Sequence, residues 1–171
     1  MNIKDTKSWW LLMTKAHKEF YAEEQLNNQG YTTYSPQVKR LRKRKGKVIK
    51  NTEPLFPKYV FIQLDPTQDN WMPIRSTRGI TNFVKFGGNM PAQVPTSIIE
   101  TLMQEEKNFA DKVFDMDRYK KGQVVTINNK AFKNIRGIFQ CYEGEQRAMV
   151  LISLLQTETI LDVSPAEICN A

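Results

Sequence analysis

The sequence predicts an α/β protein: helices covering a sheet over residues 1–108, a linker at 109–120 and a small β-rich domain over 121–171. Three observations carry this. Strand-like and helix-like segments alternate as far as residue 109. Behind the linker, short β-rich runs recur with a turn roughly every ten residues, which suits a small barrel. The charge also divides: residues 1–110 hold 17 Lys and Arg against 10 Asp and Glu, whereas 111–171 hold 8 against 8. The whole +7 excess of the 171-residue chain therefore sits in its first part. A polyanion is the natural partner of such a surface, with solubility as the competing explanation.

Each element follows from a local signal. Ser8–Thr14 is a short apolar run rich in aromatics, expected to be a buried strand. Residues 16–29 place Ala16, Phe20, Ala22 and Leu26 on one broad helical face, and Gly30 supplies the left-handed stop. Tyr31–Val38 is β-rich. Residues 39–50 carry eight Lys or Arg and no acid, with Gly46 in the middle, the pattern of a solvent-exposed hairpin arm. Pro57–Leu64 is the strongest strand signal. A short loop or helix follows at Gln68–Ile74, then a strand at Ile80–Phe86 ended by Gly87-Gly88. Pro95 introduces a helix in which Ser97 and Glu100 have capping-box spacing. Ile98, Ile99, Leu102, Met103 and Phe109 form its apolar stripe.

Residues 108–120 are polar and acidic without a period, hence the linker. Lys121–Ile127 reads as a strand, Asn128-Asn129 as a turn, Gly137-Ile138-Phe139 as the start of another strand, and Glu143-Gly144-Glu145 as a turn. Ala148–Leu155 is a continuous apolar run, and periodicity does not decide between a strand buried on both faces and a buried helix.

Several function classes are disfavoured. No apolar run reaches the ~18 residues that a membrane helix needs. The segment Met1–Asp5 lacks the apolar stretch of a secretory signal, so the cytoplasm is the expected compartment. Two cysteines, Cys141 and Cys169, and one histidine, His17, build neither a disulfide framework nor a Cys/His zinc cluster. No nucleophile signature accompanies His17; Glu23-Glu24 and Glu105-Glu106 read as solvated helix faces, and Gly87-Gly88 lacks phosphate-loop spacing. No enzyme activity, metal or cofactor is expected, and a nuclease would need an acidic or His metal cluster.

Nucleic-acid binding has positive support. The arm at 39–50 can neutralise phosphates and release their counterions, although a charge run also suits a solvated loop. Arg75-Ser76-Thr77-Arg78-Gly79 stands beside a strand, and Arg forks and Thr hydroxyls suit base edges and phosphates, with a capped turn as the alternative.

Glu53-Pro54-Leu55-Phe56-Pro57-Lys58-Tyr59-Val60-Phe61-Ile62 resembles a strand region of the NusG family of transcription elongation factors. Ser8-Trp9-Trp10-Leu11-Leu12, Thr77-Arg78-Gly79-Ile80, Phe83-Val84-Lys85-Phe86-Gly87 and the Val94-Pro95 helix start resemble the same N-terminal, NGN-type domain. Lys121-Gly122-Gln123-Val124 through Gly137-Ile138-Phe139 resembles the family's KOW motif. The Glu-Pro-Leu-Phe-Pro and Phe-Val-Lys-Phe-Gly runs, and Gly144–Met149, are most similar to the RfaH-type antiterminators within that family.

The resemblance implies a monomeric antitermination factor that binds RNA polymerase, is recruited by a non-template-strand DNA element and suppresses pausing and termination. A patch of Met13, Tyr59, Phe61, Ile99 and Leu102 would hold the polymerase clamp helices, and Asn70-Trp71-Met72 the gate loop, where the family carries His-Thr-Thr. Lys15, His17, Gln25, Thr77 and Arg78 would contact DNA; Tyr21 stands where the family carries Arg, and Gln25 where it carries His. Glu53 would pair with Arg147 and hold the C-terminal domain as a helical hairpin. Released as a KOW barrel, that domain would recruit a small-subunit ribosomal protein through Ile152 and Leu155. The rival readings are a general NusG-type elongation factor and a KOW-type RNA- or ribosome-binding protein.

Overall fold

A computed structural model describes residues 6–110, 138–139 and 143–160. The chain divides into two compact units: Met1–Ser35 with Pro57–Ile99, and Pro36–Phe56 with Glu100–Ala171. The basic arm, which the sequence places inside the N-terminal domain, thus groups with the C-terminal segment.

The first unit is an antiparallel sheet with helices on one face. Its strands are β1 (Ser8–Thr14), β2 (Thr32–Tyr34), β5 (Tyr59–Leu64), β6 (Ile80–Phe83) and β7 (Gln93–Val94), in the order β2-β5-β1-β6 with β7 also on β1. β1 is central, which explains its unbroken apolar run: Trp9, Trp10, Leu11 and Leu12 are all buried. Its even positions, Trp10 and Leu12, share a core with Ile62, Leu64, Ile80, Phe83, Ile74 and the helix residues Ala22 and Leu26. The odd positions point to the other face, where Leu11 opposes Phe61 and Met13 opposes Tyr59.

Helix α1 spans Glu19–Asn28, three residues shorter at its start than expected. Lys15–Lys18 form a turn instead, with His17 at φ 59. Its inward row is Glu19, Ala22 and Leu26; Phe20, one position round the helix, is exposed, and so is Ala16. Gly30 takes the left-handed conformation at φ 91. The β-rich stretch after it breaks into β2 and β3 (Gln37–Arg44) because Ser35-Pro36 interrupts the ladder. The short helix α2 is Met72–Arg75. The strand expected to reach Phe86 ends at Phe83.

In the second unit β3 pairs with β4 (Lys47–Pro54) over eight opposed pairs, from Gln37↔Pro54 to Arg44↔Lys47. Lys45 and Gly46 form the turn with φ 51 and 74, the positive pair that a two-residue hairpin loop demands. Helix α3 runs Thr96–Phe109, from the first unit into the second, so Ser97 lies inside its first turn and not at the cap. Helix α4 is Gly144–Ile160. Gly144 therefore opens a helix where a turn was expected, and Ile138 and Phe139 are helical where a strand was expected. In α4, Arg147, Ala148, Leu151, Leu154 and Leu155 are buried while Met149, Ser153 and Gln156 are exposed, and that three-to-four spacing resolves the apolar run as helix. The expected linker and the strand over 121–127 fall almost wholly outside the described residues.

Candidate nucleic-acid and polymerase surfaces

The DNA-contact candidates lie on three neighbouring pieces of the first unit. The Lys15 N–H donates to Gly79 O at 2.8 Å, tying the loop after β1 to the turn before β6. Gly79 has φ 91, and a Cβ there would stand 3.0 Å from Ala22 Cβ and 3.3 Å from Tyr21 Cδ1. Only glycine lets the turn lie this close to α1. Lys15, His17 and Arg78 are exposed; Gln25 is half-buried. The Lys18 ammonium sits 5.5 Å from the ring centre of Tyr21, itself 38% exposed.

Thr77 is different. It is buried, donates to Pro73 O at 2.9 Å and accepts from Gln29 Nε2 at 2.9 Å. Its hydroxyl is committed to holding the turn on which Arg78 stands.

Met13, Tyr59 and Phe61 fall on one sheet face, away from the α1-side core. Met13 and Tyr59 are half-buried, whereas Phe61 is buried and stacks on Tyr34, ring centres 6.1 Å apart. Ile99 and Leu102, one turn apart on α3, are also buried. In the segment before α2, Asn70 Oδ1 accepts from the Met72 N–H, and the Asn70 carbonyl accepts from Tyr31 Oη at 2.7 Å. Trp71 turns inward, 4.8 Å from Trp10 edge-on and 5.2 Å from Phe83 in a stack. Met72 is 82% exposed.

In the second unit Arg147 has no exposed side-chain surface. Its Nη2 lies 3.0 Å from Glu53 Oε1, and its Nε donates to Leu55 O at 2.7 Å. The other Glu53 oxygen accepts from Arg42 Nη2 at 2.6 Å. Further along α4, Ile152 is half-buried and Leu155 buried.

The family described as "Transcription termination factor nusG" matches residues 7–103. That is more than half of the chain. This chain belongs to the NusG family. Among curated NusG proteins, titled transcription termination/antitermination proteins, that of Chlamydia pneumoniae is 24% identical over 73% of this chain and 67% of its own length. That of Neisseria meningitidis is 23% identical over 90% of this chain and 88% of its own. A solved structure titled "Domain interaction in Thermotoga maritima NusG" covers 74% of this chain and 75% of its own at 20% identity, with a TM-score of 0.41.

The NusG match contains every DNA and clamp candidate as well as Glu53, and stops before Arg147, Ile152 and Leu155. Within it, three supports escaped the sequence reading. Glu19 is buried and its Oε1 accepts from the Lys58 N–H at 2.7 Å, while Lys58 O accepts from the Thr14 N–H at 2.8 Å. These bonds hold Lys58 at φ 71 at the mouth of β5, and no local pattern announces them. Asp65 accepts from Thr6 Oγ1, Thr67 Oγ1 and the Thr67 N–H. The Thr6 and Thr67 bonds hold its carboxyl well below the usual range, at about 2. Asp65-Pro-Thr is an Asx-turn signature, so that support was detectable. Burial, with a smaller push from Asp69, raises the Tyr31 phenol. Among the described residues no group of three or more His, Cys, Asp or Glu is placed to hold a metal, and no helix is long and apolar enough to cross a membrane.

Proposed function

We propose that this NusG-family protein is a specialised, RfaH-like antitermination factor. It binds RNA polymerase through the sheet face bearing Met13 and Tyr59, with Phe61 buried on that face; Ile99 and Leu102 of α3 belong to the same proposal. Lys15, His17 and Arg78 meet the bases and phosphates of an exposed non-template strand, with Gln25 beside them and Thr77 holding Arg78 in place. The Asn70–Met72 segment addresses the gate loop through Met72. The domain boundaries expected from the sequence, and the ribosomal-protein contact at Ile152 and Leu155 after release, belong to the same proposal.

The observation that favours the specialist over a general NusG-type factor is α4. A KOW barrel has no use for a 17-residue helix whose buried arginine grips the Glu53 carboxylate and the Pro54 and Leu55 carbonyls. The deciding experiment compares wild type and Glu53→Ala for binding to transcribing polymerase with and without the recruiting DNA element. The variant should bind without the element, and its amide shifts over 144–160 should move from helix to strand values. Wild-type strand shifts over 144–160 would return the protein to the general NusG mode.

A further inference from the structure

We propose that Glu19 is a positioning residue for the polymerase-facing surface: through the Lys58 amide it sets Tyr59 in register with Met13 on the sheet face. The inference rests on the reading above that this face meets the polymerase.

The chain turns into β5 through Phe56-Pro57-Lys58-Tyr59, and Lys58 stands there at φ 71. A positive φ directly after Pro is the third position of a type II turn, where Gly or Asn is the usual occupant. Lysine carries a Cβ, so this backbone region is unfavourable for it and persists only where the surroundings impose it. The Lys58 side chain is exposed; the hold comes through its backbone. Its N–H donates to Glu19 Oε1 at 2.7 Å, and its carbonyl accepts from the Thr14 N–H at 2.8 Å. Thr14 ends β1 and Glu19 begins α1, so Lys58 is clamped between the two elements.

The two bonds are not equivalent. The Thr14 bond continues the β1–β5 ladder by one step beyond its last register pair, Met13↔Tyr59, and needs no particular side chain. The Glu19 bond does. A helix N-terminus favours an acid in its first turn, which accounts for a carboxylate at position 19 but not for its burial. Glu19 is 4% exposed, and a buried carboxylate is costly unless hydrogen bonds offset it. A charge-assisted bond to an amide of another strand supplies that offset and fixes the turn.

The effect is confined to one side of the unit. The Lys15–Lys18 turn is held by other bonds, Lys18 N–H to Lys15 O at 3.1 Å and Lys15 N–H to Gly79 O at 2.8 Å. Without the Glu19 carboxylate, Lys58 relaxes toward an ordinary negative φ and carries Tyr59 out of register with Met13. Lys15, His17 and Arg78 keep their places.

The test uses the full chain, with a pull-down titration on transcribing bacterial RNA polymerase and fluorescence anisotropy on a random-sequence 20-nucleotide DNA strand. Glu19→Ala should weaken polymerase binding about tenfold, the scale of displacing one aromatic anchor. It should leave the affinity for the strand unchanged and lose the cross-strand NOE between Met13 and Tyr59. Glu19→Gln, which keeps an acceptor for the Lys58 amide, should stay near wild type. The decisive variant is Glu19→Ala/Lys58→Gly. Glycine takes a positive φ unaided, so the double variant should recover most of the polymerase binding and the NOE, with Lys58→Gly alone as its reference. A general loss of stability would not be repaired by glycine at 58. An intact NOE in Glu19→Ala, parallel losses on polymerase and strand, or failure of glycine to rescue would each overturn the proposal. Normal polymerase binding by Tyr59→Ala would overturn the interface reading instead, and the NOE series would still decide whether Glu19 positions Tyr59.

Discussion

Arg147 reaches Glu53 at 3.0 Å from a position with no exposed side-chain surface, while Arg42 holds the other carboxylate oxygen from a side chain 44% exposed. One acid thus serves two arginines in very different surroundings, and the three substitutions should differ accordingly. Removing Glu53 strands a buried guanidinium, which typically costs about 3–5 kcal/mol. Arg147→Met leaves Glu53 its Arg42 partner and replaces the charge with apolar volume, so it should cost less. Arg42→Ala removes a partly exposed pair worth at most ~1 kcal/mol. Hydrogen exchange of the α4 amides should rank protection loss as Glu53→Ala, then Arg147→Met, then Arg42→Ala. A larger loss for Arg147→Met than for Glu53→Ala would place the hold on α4 in the Leu55 carbonyl and not in the acid.

Tyr59 and Phe61 are expected to part company despite sharing a sheet face. Phe61 is 1% exposed and stacks on Tyr34, so Phe61→Ala should cost about 3–5 kcal/mol of stability. Tyr59 is half-buried, and its truncation should leave the melting temperature within a few degrees while sharply weakening polymerase binding. Thermal melts alongside a polymerase pull-down check both. Retained polymerase binding by a folded Tyr59→Ala would remove this face from the interface.

The parts of the fold legible in the sequence are those set by local pattern. β1 and β5 announce themselves by apolar runs, and the arm by its charge and Gly46. What was missed depends on contacts far apart in sequence. Helix α1 starts late because Glu19 is drawn inward to the Lys58 amide, 39 residues away. Ala148–Leu155 reads equally as strand or helix until the burial of Arg147 fixes the inward side. Thr77 looks like a DNA contact by residue type, yet Gln29 and Pro73 consume its hydroxyl. Residue type suggests chemistry; burial decides which way the group points.

Asp65 supplies a pH prediction. Thr6 and Thr67 hydrogen bonds keep its folded pKa at about 2, below the ordinary 3.8. A depressed carboxyl pKa means that the unfolded chain binds more protons between these values, so stability falls as pH falls. The contribution is complete above about pH 4 and disappears as pH drops through 2. Urea midpoints at pH 5, 3 and 2 should therefore decline more steeply for wild type than for Asp65→Asn. Parallel curves would show that the Thr6 and Thr67 bonds do not survive in solution.

The last prediction separates two adjacent residues of the segment proposed to meet the gate loop. Trp71 is wedged between Trp10 and Phe83, at 4.8 and 5.2 Å between ring centres, so it anchors the segment to the core. Trp71→Ala should cost about 3–5 kcal/mol, the usual result of emptying a large aromatic site. Met72 is 82% exposed and touches little of its own fold, so Met72→Ala should change stability by less than about 0.5 kcal/mol. Its flexible, polarizable thioether is well suited to an adaptable partner surface. If this segment meets the polymerase, Met72→Ala should lengthen pauses in a transcription assay while leaving recruitment intact, because the sheet face proposed to bind the clamp is untouched. Unchanged pausing by the folded variant would confine polymerase contact to that sheet face and leave Asn70–Met72 a structural brace, with Asn70 accepting from Tyr31 and Trp71 filling the core.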